Sequence, residues 1–239
     1  MKIHSNISPL PFYADINEQN HRKNYAYGQV YPLISVGNDL LPFQFIYENP
    51  NVVIPSFGNG YSDDFSTTVS PSSIGGILAA RLISLDSGVA TDITTVMIAQ
   101  GLSVSQSSSG LFRIKYFGGP VPAQPGYYYL ELSFTGVPDI LYSDVFLVTP
   151  DVSNCIRLDY SNSQDLSLPI GSVDFSNNFR FTCFLHTTIG KPEYSYEEEA
   201  TSRNGYTFVE SQVCKKIYKF TVLAPEYLCD ALRIVRLCN

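Results

Sequence analysis

The sequence predicts an all-β fold: two β-sandwich-like (Ig-like or jelly-roll-like) modules, with an irregular N-terminal arm and a short C-terminal helix. Three observations point there. Short apolar and aromatic runs recur between clusters of Gly, Pro, Asn, Asp and Ser, the pattern of a sandwich. Tyr and Phe are abundant, at 17 and 15 residues, while Trp is absent. Only 15% of the residues are charged, against about 25% in an ordinary soluble chain. At 239 residues the chain has room for one large β domain or two small ones. Low charge with many aromatics fits strands whose outer faces are also partly covered, and an assembly covers such faces better than a monomer does.

The expected organisation is an arm over 1–40, a sandwich over 41–150 and a second β-rich domain over 151–239. In the arm, Pro9, Pro11 and Pro32 interrupt short apolar pieces, and residues 15–25 are polar with at most a short helix. Such a segment lies along a neighbouring surface, either as a clamp in an oligomer or as a coat over the first sheet.

The first sandwich is expected to begin with a strand at Leu41–Tyr47. Loop clusters follow at Asn49-Pro50-Asn51, Phe57-Gly58-Asn59-Gly60 and Ser70-Pro71-Ser72-Ser73. Leu78–Leu85 reads as a second strand, and Ile93–Ala99 as a strand or a single helical turn. Leu111–Phe117 alternates, with Leu111, Arg113 and Lys115 on one side and Phe112, Ile114 and Tyr116 on the other. Gly118-Gly119-Pro120 and Gln124-Pro125-Gly126 bracket a turn-rich loop. Tyr127–Phe134 and Leu141–Val148 form a hairpin-like pair, and Thr149-Pro150-Asp151 marks the expected boundary.

Beyond that boundary, Cys155–Tyr160, Phe179–His186 and Val213–Leu223 read as strands, and Asn204-Gly205 as a tight turn. Pro225 suits the first turn of a helix and Glu226 its positive end. Leu228, Ala231, Leu232 and Val235 then recur at helical spacing, which predicts one buried face. Arg233 and Arg236 complement the dipole near the C-terminal end. No long-period repeat is present.

No catalytic, cofactor-binding or metal-ligating residue is assigned. A Ser-His-Asp relay would have to use His4, His21 or His186, and no G-x-S-x-G sequence occurs. Cys183-Phe184-Leu185-His186 has a C-x-x-H spacing, but positions three apart on a strand point to opposite faces and nothing completes a zinc site. Glu197, Glu198 and Glu199 are consecutive carboxylates read as a solvent-facing loop, without the alternating oxygens and glycine turn of a calcium loop. Asp63-Asp64 is equally weak. Gly75-Gly76 lacks the spacing and the Lys-Ser/Thr of a phosphate-binding loop. Ser103–Gly110 reads as a polar surface turn. Tyr127-Tyr128-Tyr129 places at least one ring outward, suited to a sugar or to a protein interface.

The net charge of −7 argues against nucleic acid as the main partner. Lys215, Lys216 and Lys219 are the densest basic group, and they alternate with apolar residues along an expected strand. No apolar run approaches the ~20 residues of a membrane-spanning helix, so no membrane partner is expected. The N-terminus shows no hydrophobic leader core, so no secretory signal is expected. Five cysteines, Cys155, Cys183, Cys214, Cys229 and Cys238, read as reduced and mostly buried thiols.

Several phrases carry a resemblance. They include Glu18-Gln19-Asn20-His21-Arg22-Lys23 with Tyr25-Ala26-Tyr27-Gly28, Leu41-Pro42-Phe43-Gln44-Phe45, and Gly126-Tyr127-Tyr128-Tyr129-Leu130 with Tyr142-Ser143-Asp144-Val145-Phe146. Toward the C-terminus come Ile189-Gly190-Lys191-Pro192-Glu193-Tyr194, Glu197-Glu198-Glu199, Arg203-Asn204-Gly205-Tyr206, Tyr218-Lys219-Phe220 and Leu223-Ala224-Pro225-Glu226-Tyr227-Leu228-Cys229-Asp230-Ala231. Spread discontinuously over nearly the whole chain, they resemble structural proteins of Bacteroidetes phages and prophages, including crAss-like phages. The resemblance implies a non-enzymatic virion component of the tail, baseplate or neck. It would form a ring with copies of itself, contact other tail, portal or neck proteins, and assemble in the host cytoplasm. It implies no catalytic residue and no cofactor. A host-surface glycan-binding tail module, using exposed tyrosines, is the alternative expectation.

Overall fold

The computed structural model describes residues 2–4, 8–14, 33–48, 67–68, 76–106, 111–135, 139–161, 173–187, 190–222, 224 and 226–237. In chain order the first strands are β1 (Lys2–His4), β2 (Phe12–Tyr13), β3 (Leu33–Val36), β4 (Asp39–Leu40), β5 (Phe43–Glu48), β6 (Thr67–Thr68), β7 (Ile77–Ser84) and β8 (Ala90–Asp92). A short helix, α1 (Thr94–Ala99), precedes β9 (Ser103–Gln106), β10 (Leu111–Tyr116), β11 (Gly119–Pro120), β12 (Gly126–Phe134), β13 (Ile140–Ser143) and β14 (Phe146–Thr149). Then come β15 (Cys155–Tyr160), β16 (Phe181–His186), β17 (Glu193–Arg203), β18 (Tyr206–Ile217) and the helix α2 (Glu226–Leu237). The fold is all-β with a short C-terminal helix.

Two large sheets face each other. One has five strands in the order β1-β5-β10-β9-β6. The other has nine, running β15-β16-β3-β14-β12-β13-β2, with β7 along the second edge of β12 and β8 beyond it. Alternation explains the inner faces. Phe43, Phe45 and Tyr47 of β5 and Phe112, Ile114 and Tyr116 of β10 are buried against the second sheet. Phe12, on β2, stacks on Phe45 at 4.5 Å between ring centroids, and Tyr47 stacks on Phe134 of β12 at 6.0 Å. Aromatic pairs thus bridge the two layers, and one continuous core joins them.

The sheets cut across the expected organisation. The nine-stranded sheet takes β2 and β3 from 1–40, β7, β8 and β12 to β14 from 41–150, and β15 and β16 from 151–239. The link is β3, which runs parallel to β14 and antiparallel to β16. Thr149-Pro150-Asp151 is therefore a turn between two regions of one sheet. A four-residue strand with partners far away in sequence carries no local signal of its pairing. The arm over 1–40 is likewise strand where it is described, apart from residues 8–11, residue 14 and the turn at 37–38. Residues 15–32, which hold the whole of the expected polar stretch, lie outside the described residues.

The expected strand at Leu141–Val148 is interrupted at Asp144 and Val145. Its two halves share one edge of β12, pairing with Glu131–Ser133 and Gly126–Tyr128. Ile93–Ala99, expected as strand or helical turn, is the helix α1. Its Met97 is buried, and the Ile93 N–H donates to the Ala80 carbonyl at 2.9 Å. Ser103–Gly110, expected as a turn, contains β9; residues 107–110 lie outside the described residues. The C-terminal helix packs through Leu228 and Ala231, both buried, as its spacing predicts.

Candidate functional site

β17 and β18 form a two-stranded antiparallel sheet of their own. Their sequence explains the hairpin. Tyr, Thr, Val and Phe favour extended backbone, and Asn204-Gly205 supplies the two left-handed residues of a tight turn, at φ 53° and 79°. Register runs from Glu193 opposite Ile217 to Arg203 opposite Tyr206. A bulge between Glu199 and Ala200 leaves Glu210 as the extra residue on β18. The base is stitched to the body. The Gly190 N–H donates to the Lys219 carbonyl at 3.1 Å, and the Thr187 hydroxyl donates to the Thr221 carbonyl at 2.5 Å.

The acidic patch Glu197, Glu198 and Glu199, expected in a loop, thus lies within β17. Consecutive carboxylates on a strand alternate faces, so the patch marks an edge rather than a concentrated cation site. Lys215 reaches Glu197 at 2.6 Å, and Lys219 reaches Glu193 at 2.7 Å. Glu198 accepts from the Gln212 amide at 2.9 Å and Glu199 from the Ser211 hydroxyl at 3.2 Å, both neutral donors. Lys216 lies over the rings of Tyr194 and Tyr218, at 5.9 and 5.0 Å from their centroids. No described carboxylate forms a salt bridge with it.

Both faces of this ribbon meet solvent. Among the described residues, eight of the fourteen exposed large apolar side chains lie on the ribbon or its base: Tyr194, Tyr196, Tyr206, Val209, Val213, Ile217, Tyr218 and Phe220. Scattered apolar exposure is ordinary, whereas this concentration on one hairpin makes it the first candidate for an interaction surface. No other described strand pairs with either outer edge. A two-stranded ribbon of this kind is marginal in water on its own.

The outer face of the nine-stranded sheet is the second candidate. Tyr127 and Tyr129 point outward from β12, while Tyr128 turns inward and stacks on Phe146 at 6.4 Å. Tyr129 and Tyr142 lie 6.4 Å apart, beside Glu131, with Arg81 opposite Glu131. Burial, with Glu131 nearby, pushes the Tyr129 hydroxyl up to about 12. Tyr129 is only 7% exposed, so the ring surface offered here is narrow.

Elsewhere the sequence candidates separate. Cys183 is buried on the inner face of β16 while His186 is exposed at its end, on the opposite side. Burial raises the Cys183 thiol to about 12. Cys155 is half-buried, and Cys214 and Cys229 are exposed, so burial holds for a minority of the described thiols. No group of three His, Cys, Asp or Glu side chains suited to a metal occurs among the described residues. Asp63, Asp64 and Gly75 lie outside the described residues.

One buried polar cluster was not visible in the sequence. Arg113 and Lys115, on the outer side of β10, are both nearly buried. Lys115 donates to Asp174 at 2.9 Å and to the Ser176 carbonyl at 3.1 Å, and Arg113 lies 4.0 Å from the same carboxylate. The Asp174 N–H donates to Gln44 at 3.1 Å. Burial opposes ionisation of Asp174, but hydrogen bonds from Ser176 and Lys115 outweigh it and hold the carboxyl below its usual range. The cluster ties the segment before β16 to the five-stranded sheet.

No protein-family model, curated protein or solved structure matches this chain.

Proposed function

We propose that this chain is a non-enzymatic structural subunit of a phage virion, forming a ring with copies of itself in the tail, baseplate or neck. The ribbon formed by β17 and β18 carries this reading. It presents exposed aromatics on a base hydrogen-bonded to the body and two strand edges that no other described strand pairs with, a combination suited to a neighbouring protein and not to a small substrate. The low charge content and the resemblance of the quoted phrases to structural proteins of Bacteroidetes phages and prophages support the same reading. Other tail, portal or neck proteins would be the further partners.

Mass spectrometry of gradient-purified virions tests it. The reading expects peptides of this chain at several copies per particle. Their absence from infectious particles would overturn it.

A second reading rests on Tyr127, Tyr129 and Tyr142 beside Glu131. A tail module could hold a host-surface glycan there, stacking sugar on tyrosine and bonding hydroxyls to the carboxylate. Saturable glycan binding lost on Tyr127→Ala would favour it. The 7% exposure of Tyr129 weighs against it, because a sugar platform needs accessible ring faces.

A further inference from the structure

Building on the ring reading, we propose that neighbouring copies join edge to edge through their ribbons. β17 of one copy pairs antiparallel with β18 of the next, with Lys216 opposite the next copy's Glu198.

The two edges differ in charge. β17 carries Glu193, Glu197, Glu198 and Glu199 against a single arginine, Arg203. β18 carries a single acid, Glu210, and ends in Lys215 and Lys216, and Lys219 follows. Like edges paired through their charge-rich stretches would set glutamate against glutamate, or lysine against lysine, which is unfavourable directly across a sheet. Two-fold pairing through those stretches is therefore disfavoured. Unlike edges attract, and β17 against β18 is a head-to-tail contact, the kind that closes into a ring.

The charges allow more than one register, and the aromatics choose between them. Within one copy Lys216 sits opposite Tyr194, and Glu198 sits opposite Gln212. The lysine and the glutamate lie four residues apart along the ribbon, about 13 Å at the usual strand rise, too far to pair. Between copies, setting Lys216 opposite Glu198 also sets Lys215 opposite Glu199. The same register places Tyr218 opposite Tyr196 and Phe220 opposite Tyr194, four of the exposed aromatics. The alignment shifted by two residues also makes two Lys–Glu contacts, Lys215 with Glu197 and Lys219 with Glu193, but only one aromatic pair, so the second aromatic pair decides between them. The unpaired backbone groups of both edges are satisfied by the same contact.

Charge reversal across copies tests this, read by light scattering and sedimentation of the purified full-length chain. Glu198→Lys and Lys216→Glu should each raise the concentration needed for assembly about tenfold or more, with unchanged circular dichroism and thermal midpoint. A mixture of the two variants, and the double variant alone, should assemble like the original chain. Restoration has no explanation within one copy, because the two side chains do not meet there. If the original chain forms rings and both single variants form them equally well, edge pairing is wrong while the ring stands. An original chain that stays monomeric at every concentration overturns the ring and the pairing together.

Discussion

The Lys115 ammonium and the Asp174 carboxylate meet at 2.9 Å on the outer side of the five-stranded sheet, with the lysine side chain almost wholly buried. Removing one member of such a pair leaves the other charge uncompensated. Because Asp174 is about a quarter exposed, Asp174→Asn is expected to cost about 2 kcal/mol rather than the full penalty of a buried pair. Urea denaturation of the purified chain measures it.

The same carboxylate gives a pH dependence with a definite sign. Its folded pKa lies below the usual 3.8, so the unfolded chain takes up the proton first as pH falls. Its stabilisation is present above about 3.8 and is lost as pH drops through the lower folded value. Thermal midpoints below pH 5 should fall less steeply for Asp174→Asn than for the original chain.

At the alkaline end the buried phenols act in the opposite sense. Burial raises Tyr116 and Tyr160, and burial with Glu131 raises Tyr129 to about 12 from the usual 10.0. The unfolded chain loses these protons first, so stability is full below pH 10 and declines as pH rises through the folded values. Thermal unfolding followed from pH 9 to 12 should show this decline. A midpoint that stays constant to pH 12 would contradict the burial of these rings.

Two glycines separate backbone conformation from space. Gly118 and Gly205 both have left-handed φ, at +84° and +79°. A Cβ on Gly118 would lie 2.9 Å from the Leu40 carbonyl oxygen, whereas one on Gly205 meets nothing within 4 Å. Gly118→Ala should lower the thermal midpoint by roughly 5–10 °C, from strain and clash together. Gly205→Ala carries only the local strain of about 1 kcal/mol, confined to the ribbon tip. It should leave the midpoint of the body nearly unchanged.

The ribbon should also be the least protected of the long hairpins in an isolated copy. Both its faces are exposed, and β12 lies between partners on both edges. Amide hydrogen exchange in β17 and β18 should be at least about 100-fold faster than in the centre of β12. Assembly should slow it, most of all at the outer edges.

The strands with a one-sided burial pattern were readable from residues alone. Leu111–Tyr116 shows why: alternation places Phe112, Ile114 and Tyr116 in the core, though it gives no hint that Arg113 and Lys115 are buried as well. The helix α2 was readable from Leu228, Ala231 and their spacing. β17 was not, because a strand exposed on both faces has no hydrophobic period, and Glu197-Glu198-Glu199 reads as a loop. The signal that would have found it is Asn204-Gly205 at the midpoint between Tyr194-Ser195-Tyr196 and the lysine-bearing strand. The parallel pairing of β3 with β14 joins residues more than a hundred positions apart, and neither partner encodes it locally.

The decisive measurement is cryo-electron microscopy of purified virions. An ordered ring of this chain is expected at the neck, tail or baseplate, with each β17–β18 ribbon joined edge to edge to the next. Virions that hold no density for this chain, or hold it only as isolated copies with free ribbons, would contradict it.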